Sequence, residues 1–550
     1  MNKKLAIGID DFKKIISEDY YFVDKSLFIK EIINEEAQTI FIPRPRRFGK
    51  TLNLSMLKYF LTNENREKNR DLFRELKIYK EKEFDHQGKY PVIHLSFKDI
   101  KETNWENCYN KVKYIIQNLF DTYEYLLDSD KLSRLEKRTF EKILFGEGDK
   151  AIYEESIKLL SQILSKYYNE EVYILIDEYD QPIVSSYTNE YYKEGISFFR
   201  NLYSAALKDN QYLRKGVLTG ILRISKESIF SGLNNLYVDS LVQNRFNYFG
   251  LTEEEVKEIL EKYKMSYELE EVKEWYNGYV FGKETVYNPW SIINYIKNKE
   301  LKAYWVNTSS NDLIKELLIN SSYKEYDSLL KLAKGETLEL IIDELSSFDG
   351  FENLDKRDPL LNLMLFSGYL TIINKNKVKL PNKEVKEFYK GIFKTNANAG
   401  NSEEFNTILK KLINGEVEEF KKRLKELFLK ALSYYDSDKE SEKYYHNLIL
   451  GLALGLDEYY IIHSNREYGT GRVDLLLKSK DGKLPNYIFE FKVSYKEENL
   501  KELAKKALEQ IEEKKYDIEI ENPIKIGMAF YKKEFEMVYK SEEKRVSSEK

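Results

Sequence analysis

Residues 42–57 read IPRPRRFGKTLNLSML, and this stretch continues from the apolar run QTIFIP at residues 38–43. The apolar run predicts a strand, and the apolar spacing after Thr51 predicts a helix. A Gly-Lys-Thr sequence between a strand and a helix is typical of a phosphate-binding loop. Backbone N–H groups at the helix N-terminus face the anion, a lysine reaches the terminal phosphates and a threonine hydroxyl ligates Mg²⁺. We therefore predict that ATP and Mg²⁺ bind at Arg46, Arg47, Phe48, Gly49, Lys50 and Thr51, with Thr51 as a metal ligand.

The charge pattern of this loop supports a phosphate site. No acidic residue occurs in residues 37–63, whereas Arg44, Arg46, Arg47 and Lys50 cluster there. Such a cluster attracts a polyanion. Arg44 stands where the strict motif has its first glycine, which weakens the match. The alternative is that Thr51 only caps a helix after a glycine turn.

A second apolar run, VYILID at residues 172–177, predicts a strand that ends in an acid, and Glu178 and Asp180 follow it. An Asp at the end of such a strand is where nucleotide-bound Mg²⁺ is held, normally through water, so we assign Asp177 to the metal. Glu178 is the candidate general base that orients the attacking water. At the end of the next strand, GVLTGI, Thr219 is a candidate sensor. Arg223, after this strand, is a candidate cation near the γ-phosphate. Alternatively, the acids cap a strand end, and Thr219 and Arg223 are solvated loop residues.

The order of patterns along the chain predicts three parts. Short apolar strands alternate with helix-period segments from residue 38 to about 245, which predicts an α/β domain with a parallel sheet and helices on both faces. We place this P-loop ATPase domain at residues 1–250. A mainly helical lid and connector follows at residues 251–440, and a small αβ domain at residues 441–550.

An aromatic insert, WYNGYVFGKETVYNPWS at residues 275–291, interrupts the helical region. Aromatic side chains can stack on bases, but they more often pack in a core. The Asn-Gly and Asn-Pro pairs inside the insert predict turns. We expect the insert to pack its aromatic residues against the ATPase domain.

Composition limits the classes of function. The chain has 88 Lys and Arg against 93 Asp and Glu, a net charge of −5. The chain as a whole therefore does not attract nucleic acid, and binding would need a local basic site. Cys108 is the single cysteine and the four histidines lack ligand spacing, which excludes an intramolecular disulfide and a Cys-based zinc cluster. Metal chemistry must therefore use carboxylates. Because there is neither a secretory h-region nor an apolar run of about 20 residues, we expect a cytoplasmic protein with no membrane partner.

A second set of charged residues lies near the C-terminus. Asp474 leads one predicted strand, and Glu490 and Lys492 lie in the next, where alternation puts both on one face. Two carboxylates supply hard oxygen ligands for Mg²⁺, and a cation positions the attacking water or stabilises the pentacovalent phosphate. This predicts a site for phosphodiester cleavage, with Asp474 and Glu490 as metal ligands and Lys492 as a catalytic residue. The alternatives are a cross-strand Asp474–Lys492 ion pair or a solvated sheet face.

Together these motifs make the chain similar to the bacterial AAA-like ATPases that carry a C-terminal PD-(D/E)XK nuclease-superfamily domain. The resemblance covers nearly the whole chain, and Arg44 in place of glycine is typical of that family. It rests on FVDKSLFIKEII (22–33), IPRPRRFGKTLNLSML (42–57), LIDEYDQPI (175–183), LTGILRISKESIFSGLNNL (218–236), YNGYVFG (276–282), YNPWS (287–291) and SGYLT (367–371).

The resemblance also implies roles for further C-terminal residues. Asp474, Glu490 and Lys492 match the D, E and K of the PD-(D/E)XK pattern, and Gln510 resembles the glutamine that assists the site. His446 matches a position that usually faces the site. A first-helix Glu is the commoner metal ligand in this superfamily, so Glu442 or Glu458 are the alternatives to His446.

Two functions follow from these expectations. In the first, an ATP-binding and hydrolysing module regulates a Mg²⁺-dependent nuclease that acts on DNA or RNA, plausibly in defence against foreign nucleic acid. In the second, the chain is a nucleotide-dependent switch or scaffold whose nuclease-like domain binds without cleaving. The partners expected are ATP and nucleic acid, with assembly into a homo-oligomer left open.

Overall fold

The structure is a computed structural model of the 550-residue chain. It describes residues 3–208, 210–222, 236–265, 268–306, 328–329, 331–342, 358–374, 376–396, 402–431, 442–494, 496, 499–532 and 534–541. The chain divides into two compact units: Met1–Leu313 with Glu339–Val385, and Ile314–Leu338 with Lys386–Lys550. The three-part division at residues 250 and 440 stays a prediction.

Parallel strands form the main sheet of the first unit. They are β1 (Thr39–Pro43), β2 (Val92–Ser96), β3 (Val172–Asp177), β4 (Leu213–Gly220) and β5 (Leu236–Val238), in the order β2-β3-β4-β1-β5. β1 and β3 are buried along their whole length, as expected of apolar parallel strands that helices cover on both faces. The predicted α/β fold is confirmed.

The helices of this region position the ends of the strands. They are α1 (Phe12–Ser17), α2 (Leu27–Asn34), α3 (Lys50–Leu61), α4 (Arg66–Asp71), α5 (Trp105–Asp121), α6 (Arg134–Leu144), α7 (Lys150–Glu154), α8 (Ser156–Tyr168), α9 (Gln181–Thr188) and α10 (Tyr192–Leu207). Strand β4 lies between β1 and β3, with Thr219 opposite Ile42 and Leu218 opposite Ile176. The carboxyl ends of these three strands therefore meet at one edge of the sheet.

The rest of the first unit contains helices and hairpins. It comprises α11 (Glu253–Lys262), α12 (Leu269–Tyr276), β6 (Tyr279–Phe281), β7 (Glu284–Val286), α13 (Pro289–Asn298), helix Pro359–Phe366, β9 (Thr371–Asn374) and β10 (Lys377–Lys379), with β8 (Leu338–Glu339) at the boundary of the units. Thr252 and Glu255 form a capping box at the start of α11. Tyr276, Tyr279 and Tyr287 of the aromatic insert are fully buried, so packing is confirmed for these residues.

A buried carboxylate, Glu384, joins separate segments of this unit. It accepts hydrogen bonds from Ser291 Oγ at 2.7 Å and from the backbone N–H groups of Tyr304 at 2.6 Å and Trp305 at 2.5 Å. Burial raises the pKa of Glu384 to about 7, although these hydrogen bonds act in the opposite direction. The start of helix Lys383–Asn396 is thus tied to α13 and to the chain that follows it.

The second unit contains a mixed sheet with helices. The strands β11 (Tyr460–Tyr468), β12 (Gly471–Ser479), β13 (Tyr487–Val493), β14 (Ile524–Tyr531) and β15 (Glu534–Lys540) lie in chain order. β13 and β14 are parallel and the other neighbours are antiparallel. The helices are Ser402–Ile413, Val417–Ala431, Glu442–Ala453 and Leu500–Glu513. Across the described part of the chain, no helix is both long and apolar enough to span a bilayer.

One glycine explains how the last helix reaches the sheet. A Cβ at Gly527 of β14 would collide with the backbone of Ala504 and Leu508, so only glycine lets helix Leu500–Glu513 approach this closely. The helix packs on β13, β14 and β15. Gln510 is thereby brought to the residues of β13.

The pKa of Glu384 yields a test of the first unit. Because its folded-state pKa of about 7 exceeds the ordinary value of 4.5, ionisation opposes folding, and the stability that the protonated group confers is lost as pH rises from 4.5 through 7. Between pH 5 and pH 8, the unfolding free energy of the wild type should fall by about 2 kcal/mol more than that of Glu384→Gln. Urea unfolding at both pH values measures this difference.

The exposed Glu284 of β7 offers a matched control, and Glu284→Gln should follow the wild-type pH profile. If Glu384→Gln follows it as well, the buried carboxylate does not carry the pH dependence.

Candidate functional site

The loop between β1 and α3 has the backbone of a phosphate site. Arg47 and Gly49 have left-handed backbones, with φ of 68° and 89°, and α3 begins at Lys50. Lys50 Nζ donates hydrogen bonds to the loop's own carbonyl oxygens, those of Arg44 at 3.0 Å and Pro45 at 3.2 Å. The loop therefore curls around the lysine at the N-terminus of α3, where backbone N–H groups favour an anion.

Arg44, in the position of the usual glycine, anchors the loop from beneath. Its side chain is completely buried, forms an ion pair with Asp239, and donates to the Pro43 carbonyl oxygen at 2.8 Å and to Asn244. Its guanidinium also lies over the Phe249 ring, 5.2 Å from the centroid. Sequence reasoning did not find Asp239, which lies far from Arg44 in the chain.

A chain of hydrogen bonds links the ends of β3 and β4 and the start of α3 at Asp177. Thr51 Oγ1 donates to Asp177 Oδ2 at 2.7 Å, and Thr219 Oγ1 donates to Asp177 Oδ1 at 2.5 Å. Burial raises the pKa of Asp177, and the neighbouring Glu178 raises it further. The predicted residues Thr51, Asp177 and Thr219 are thus in direct contact. A Mg²⁺ ion fits here, because a hydroxyl and a buried carboxylate converge beside a second acid whose charge a divalent cation would offset.

Glu178 faces the phosphate loop from the end of β3. Its carboxylate lies 3.2 Å from Lys50 Nζ, and its backbone N–H donates to Thr219 Oγ1 at 3.4 Å. Its φ of 53° is left-handed, a conformation that residues other than glycine rarely adopt and that is enriched at functional sites. The carboxylate is therefore directed to the place where a terminal phosphate would meet Lys50.

The remaining predicted residues of the loop have different surroundings. Arg46 Nη2 donates to Gln181 Oε1 at 3.2 Å, whereas the Arg47 guanidinium lies 4.2 Å from the centroid of the Trp290 ring. Phe48 is buried against Tyr279 and Phe281, so only its backbone is available to a ligand. Arg223 lies outside the described residues.

A cavity of about 370 Å³ opens on the phosphate loop. Residues 46–51, Glu178, residues of α13 and residues of the N-terminal segment line it. Its cationic lining side chains are Lys25, Arg46, Arg47, Lys50, Lys98 and Lys101, and its acidic ones are Asp10 and Glu178. The excess of cations matches a triphosphate.

The C-terminal cluster lies where β12 meets β13. Register pairs Leu475 with Phe489, which places Asp474 of β12 beside Glu490 of β13. Asp474 Oδ2 accepts a hydrogen bond from the Phe491 backbone N–H at 2.7 Å, and the Asp474 and Glu490 carboxyl groups are hydrogen-bonded to each other. Burial raises the pKa of Asp474 to about 6, while the Phe491 N–H and Lys492 act to lower it.

Lys492 and Gln510 complete this cluster. Lys492 Nζ donates to Gln510 Oε1 at 2.7 Å, and Gln510 Nε2 donates to Glu490. Tyr516 forms a hydrogen bond with the Gln510 side chain. Burial raises the pKa of Tyr516, although this hydrogen bond acts to lower it. The structure therefore brings together Asp474, Glu490, Lys492 and Gln510, and their roles stay a prediction.

Three further residues were considered as partners of the carboxylates, and two of them have described side chains, His446 on the helix Glu442–Ala453 and Glu458 just after it. The ring of His446 is buried, and its Nε2 lies 2.9 Å from the Asp474 carbonyl oxygen and 3.1 Å from Ser464 Oγ. It thus contacts the backbone of a cluster residue. Glu458 is exposed in a turn, and the side chain of Glu442 lies outside the described residues.

Two carboxylates form the possible metal-binding set of this cluster. Within the described ranges, His, Cys, Asp and Glu side chains form no group of three or more that could hold a metal ion. Asp474 and Glu490 nevertheless fit a hard divalent cation, since such an ion would offset the cost of two adjacent carboxylates that are largely removed from water.

The fold and these two clusters define the chain as a P-loop ATPase-like module followed by a nuclease-like sheet domain. A family model described as predicted AAA-ATPase matches residues 6–230, and one for the PD-(D/E)XK nuclease superfamily matches residues 440–540. An uncharacterised protein in the vnfD 5′ region of Azotobacter chroococcum mcd 1 is 30% identical over 396 residues, which cover 70% of this chain and 68% of that protein. The chain belongs to this family of predicted AAA-ATPase-like proteins with a C-terminal PD-(D/E)XK nuclease-superfamily domain.

The buried charge of Asp474 yields a prediction about metal binding. Because its folded-state pKa of about 6 exceeds the ordinary value of 3.8, the metal-free protein loses stability as pH rises through this range. In EDTA at pH 8, Asp474→Asn should unfold at the same temperature as the wild type or at a higher one. MnCl₂ should raise the unfolding temperature of the wild type but not that of this variant. Thermal unfolding with and without the metal measures the difference.

Glu519, an exposed acid of the same unit, serves as the control, and Glu519→Gln should keep the wild-type shift. A full MnCl₂ shift in Asp474→Asn would mean that the metal binds elsewhere.

Proposed function

We propose that the N-terminal module binds and hydrolyses ATP. Backbone N–H groups of residues 46–51 hold the phosphates, and Lys50 exchanges its contact with Glu178 for one with the terminal phosphate. Glu178, once released, accepts a proton from the attacking water and orients it. Thr219 holds both Asp177 and the backbone of Glu178, and so fixes the two acids relative to each other.

Mg²⁺ would be held by Thr51 and by Asp177, directly or through water, and would supply positive charge at the phosphate oxygens. The contact between Thr51, Asp177 and Thr219 is the observation that carries this proposal. It joins residues from three separate parts of the chain at the one edge of the sheet where the phosphate loop lies. Arg223 is proposed as a further cation for the γ-phosphate.

We further propose that the C-terminal domain cleaves phosphodiester bonds of DNA or RNA. Asp474 and Glu490 would hold Mg²⁺, which supplies a Lewis acid for the phosphate and its attacking water. Lys492 positions that water or stabilises the charge that develops on phosphate, and Gln510 holds both Lys492 and Glu490 in place. His446 supports the Asp474 backbone.

The two activities are proposed to be coupled, with ATP turnover regulating the nuclease, in defence against foreign nucleic acid. A second candidate is a nucleotide-dependent switch that binds nucleic acid or protein without cleaving it. The charge of residues 442–550 favours this candidate, because 20 Lys and Arg against 21 Asp and Glu provide little basic approach surface.

Glu178→Gln separates ATP binding from hydrolysis. Loss of a general base costs about 10²- to 10⁴-fold in rate, so the variant should retain ATP binding while phosphate release falls by about 100-fold or more. Lys50→Ala should lose binding. Phosphate release and calorimetric titration with ATP provide the two measurements.

The matched control is Glu171→Gln, because Glu171 is an exposed acid just before β3 whose partner is Arg214. It should hydrolyse ATP at the wild-type rate. Wild-type hydrolysis by Glu178→Gln would remove this residue from the mechanism.

Cleavage of nucleic acid distinguishes the two candidate functions. Wild-type protein with Mn²⁺ and ATP should cut DNA or RNA, and Lys492→Ala should lower the rate by about 100-fold or more while nucleic acid still binds. Lys50→Ala should lose the effect of ATP on cleavage. Gel assays on double- and single-stranded substrates, with and without ATP, give these rates.

Cleavage that is independent of ATP would contradict the regulation. Nucleotide-dependent binding without cleavage of any substrate would instead support the switch.

A further inference from the structure

The cavity beside the phosphate loop has a second, apolar wall. Its side chains include Ile9 from the N-terminal segment, Val23, Ile259 from α11, and Trp290 and Ile293 from α13. This wall lies outside the phosphate-binding motif, and residues from three distant parts of the sequence build it. A ligand that fills the whole cavity therefore has an anionic end at residues 46–51 and an apolar portion at this wall.

Trp290 differs from the tyrosines of its segment. Tyr276, Tyr279 and Tyr287 are fully buried, whereas Trp290 is partly exposed and lines the cavity. The Arg47 guanidinium lies 4.2 Å from its ring centroid. Since the backbone of Arg47 belongs to the phosphate loop, this contact sets the indole next to the phosphate end of the cavity.

The described side chains of this wall offer few hydrogen bonds to a ligand. Lys25 Nζ is already bound to Glu255 at 2.7 Å, and burial lowers the pKa of Lys25. The phenol of Tyr21 is a further polar side chain of the lining. A ligand is thus held at this wall by stacking and apolar contact more than by hydrogen bonds from side chains.

We propose that Trp290 stacks on the base of a purine nucleoside triphosphate whose phosphates occupy the loop at residues 46–51. This inference rests on the proposed binding of ATP at that loop. It adds a residue that contacts the base, so that a nucleotide binds more tightly than a polyphosphate without a base. Stacking needs only an aromatic face, so a larger purine gains more from it than a pyrimidine, and adenine and guanine gain similarly.

Calorimetric titration of the full chain with MgATP and with inorganic tripolyphosphate tests the proposal. Trp290→Ala should bind ATP about tenfold or more weakly, because an aromatic stack on a base typically accounts for that much affinity. The same variant should bind tripolyphosphate as the wild type does. Trp275→Ala is the control, since Trp275 is also partly exposed but lies outside the cavity, against Lys383.

Wild-type ATP affinity in Trp290→Ala would overturn the inference while leaving ATP binding intact. If the wild type binds neither ATP nor tripolyphosphate, the proposed function itself fails. Equal weakening of both ligands by Trp290→Ala would also overturn the inference, because the residue would then act on the loop and not on the base.

A fluorescence measurement gives a second readout that does not depend on lost affinity. Trp290→Phe keeps an aromatic face and should bind ATP, but the change in tryptophan emission on adding ATP should be lost. Trp275→Phe should keep that change. GTP should bind the wild type within about threefold of ATP, and UTP should bind more weakly than either. An emission change that survives in Trp290→Phe, or UTP binding as tight as ATP binding, would contradict the stacking.

Discussion

The buried carboxylate of Asp177 is the point on which the N-terminal site depends. It sits at the end of strand β3 and accepts hydrogen bonds from hydroxyl groups at the ends of two other elements, Thr51 at the start of α3 and Thr219 on β4. Since burial and Glu178 both raise its pKa, the charged form is costly without a cation. The parallel sheet, with β4 between β1 and β3, is what makes these three groups meet.

The C-terminal cluster is built on the same principle in a different sheet. Asp474 and Glu490 are brought together by neighbouring strands, burial raises the pKa of Asp474, and hydrogen bonds of Lys492 and Gln510 hold the cluster in place. The approach of the last helix over Gly527 is what places Gln510 there. Each unit thus carries a site whose acids are unfavourable when alone and suited to a divalent cation.

Local patterns were sufficient to predict much of this arrangement. Strand β3 was predicted with its observed limits, and Thr51, Asp177, Glu490 and Lys492 were found because each follows or lies in a strand with a clear apolar pattern. Long-range pairing was not predictable. The partner of Arg44 is Asp239, almost two hundred residues away. Trp290 lines the cavity, although the pattern of its segment predicts packing in a core. One sequence contains no signal for contacts of that kind, because they depend on how helices, strands and loops that are distant in the chain pack together.

The most direct test of two separate carboxylate metal sites is a count of protein-bound Mn²⁺ by electron paramagnetic resonance, with and without a non-hydrolysable ATP analogue. We predict Mn²⁺ that binds without nucleotide and is lost in Glu490→Gln, and a further ion that binds only with the analogue and is lost in Lys50→Ala. A nucleotide that adds no bound Mn²⁺, or a count that neither substitution changes, would contradict the assignment of both sites.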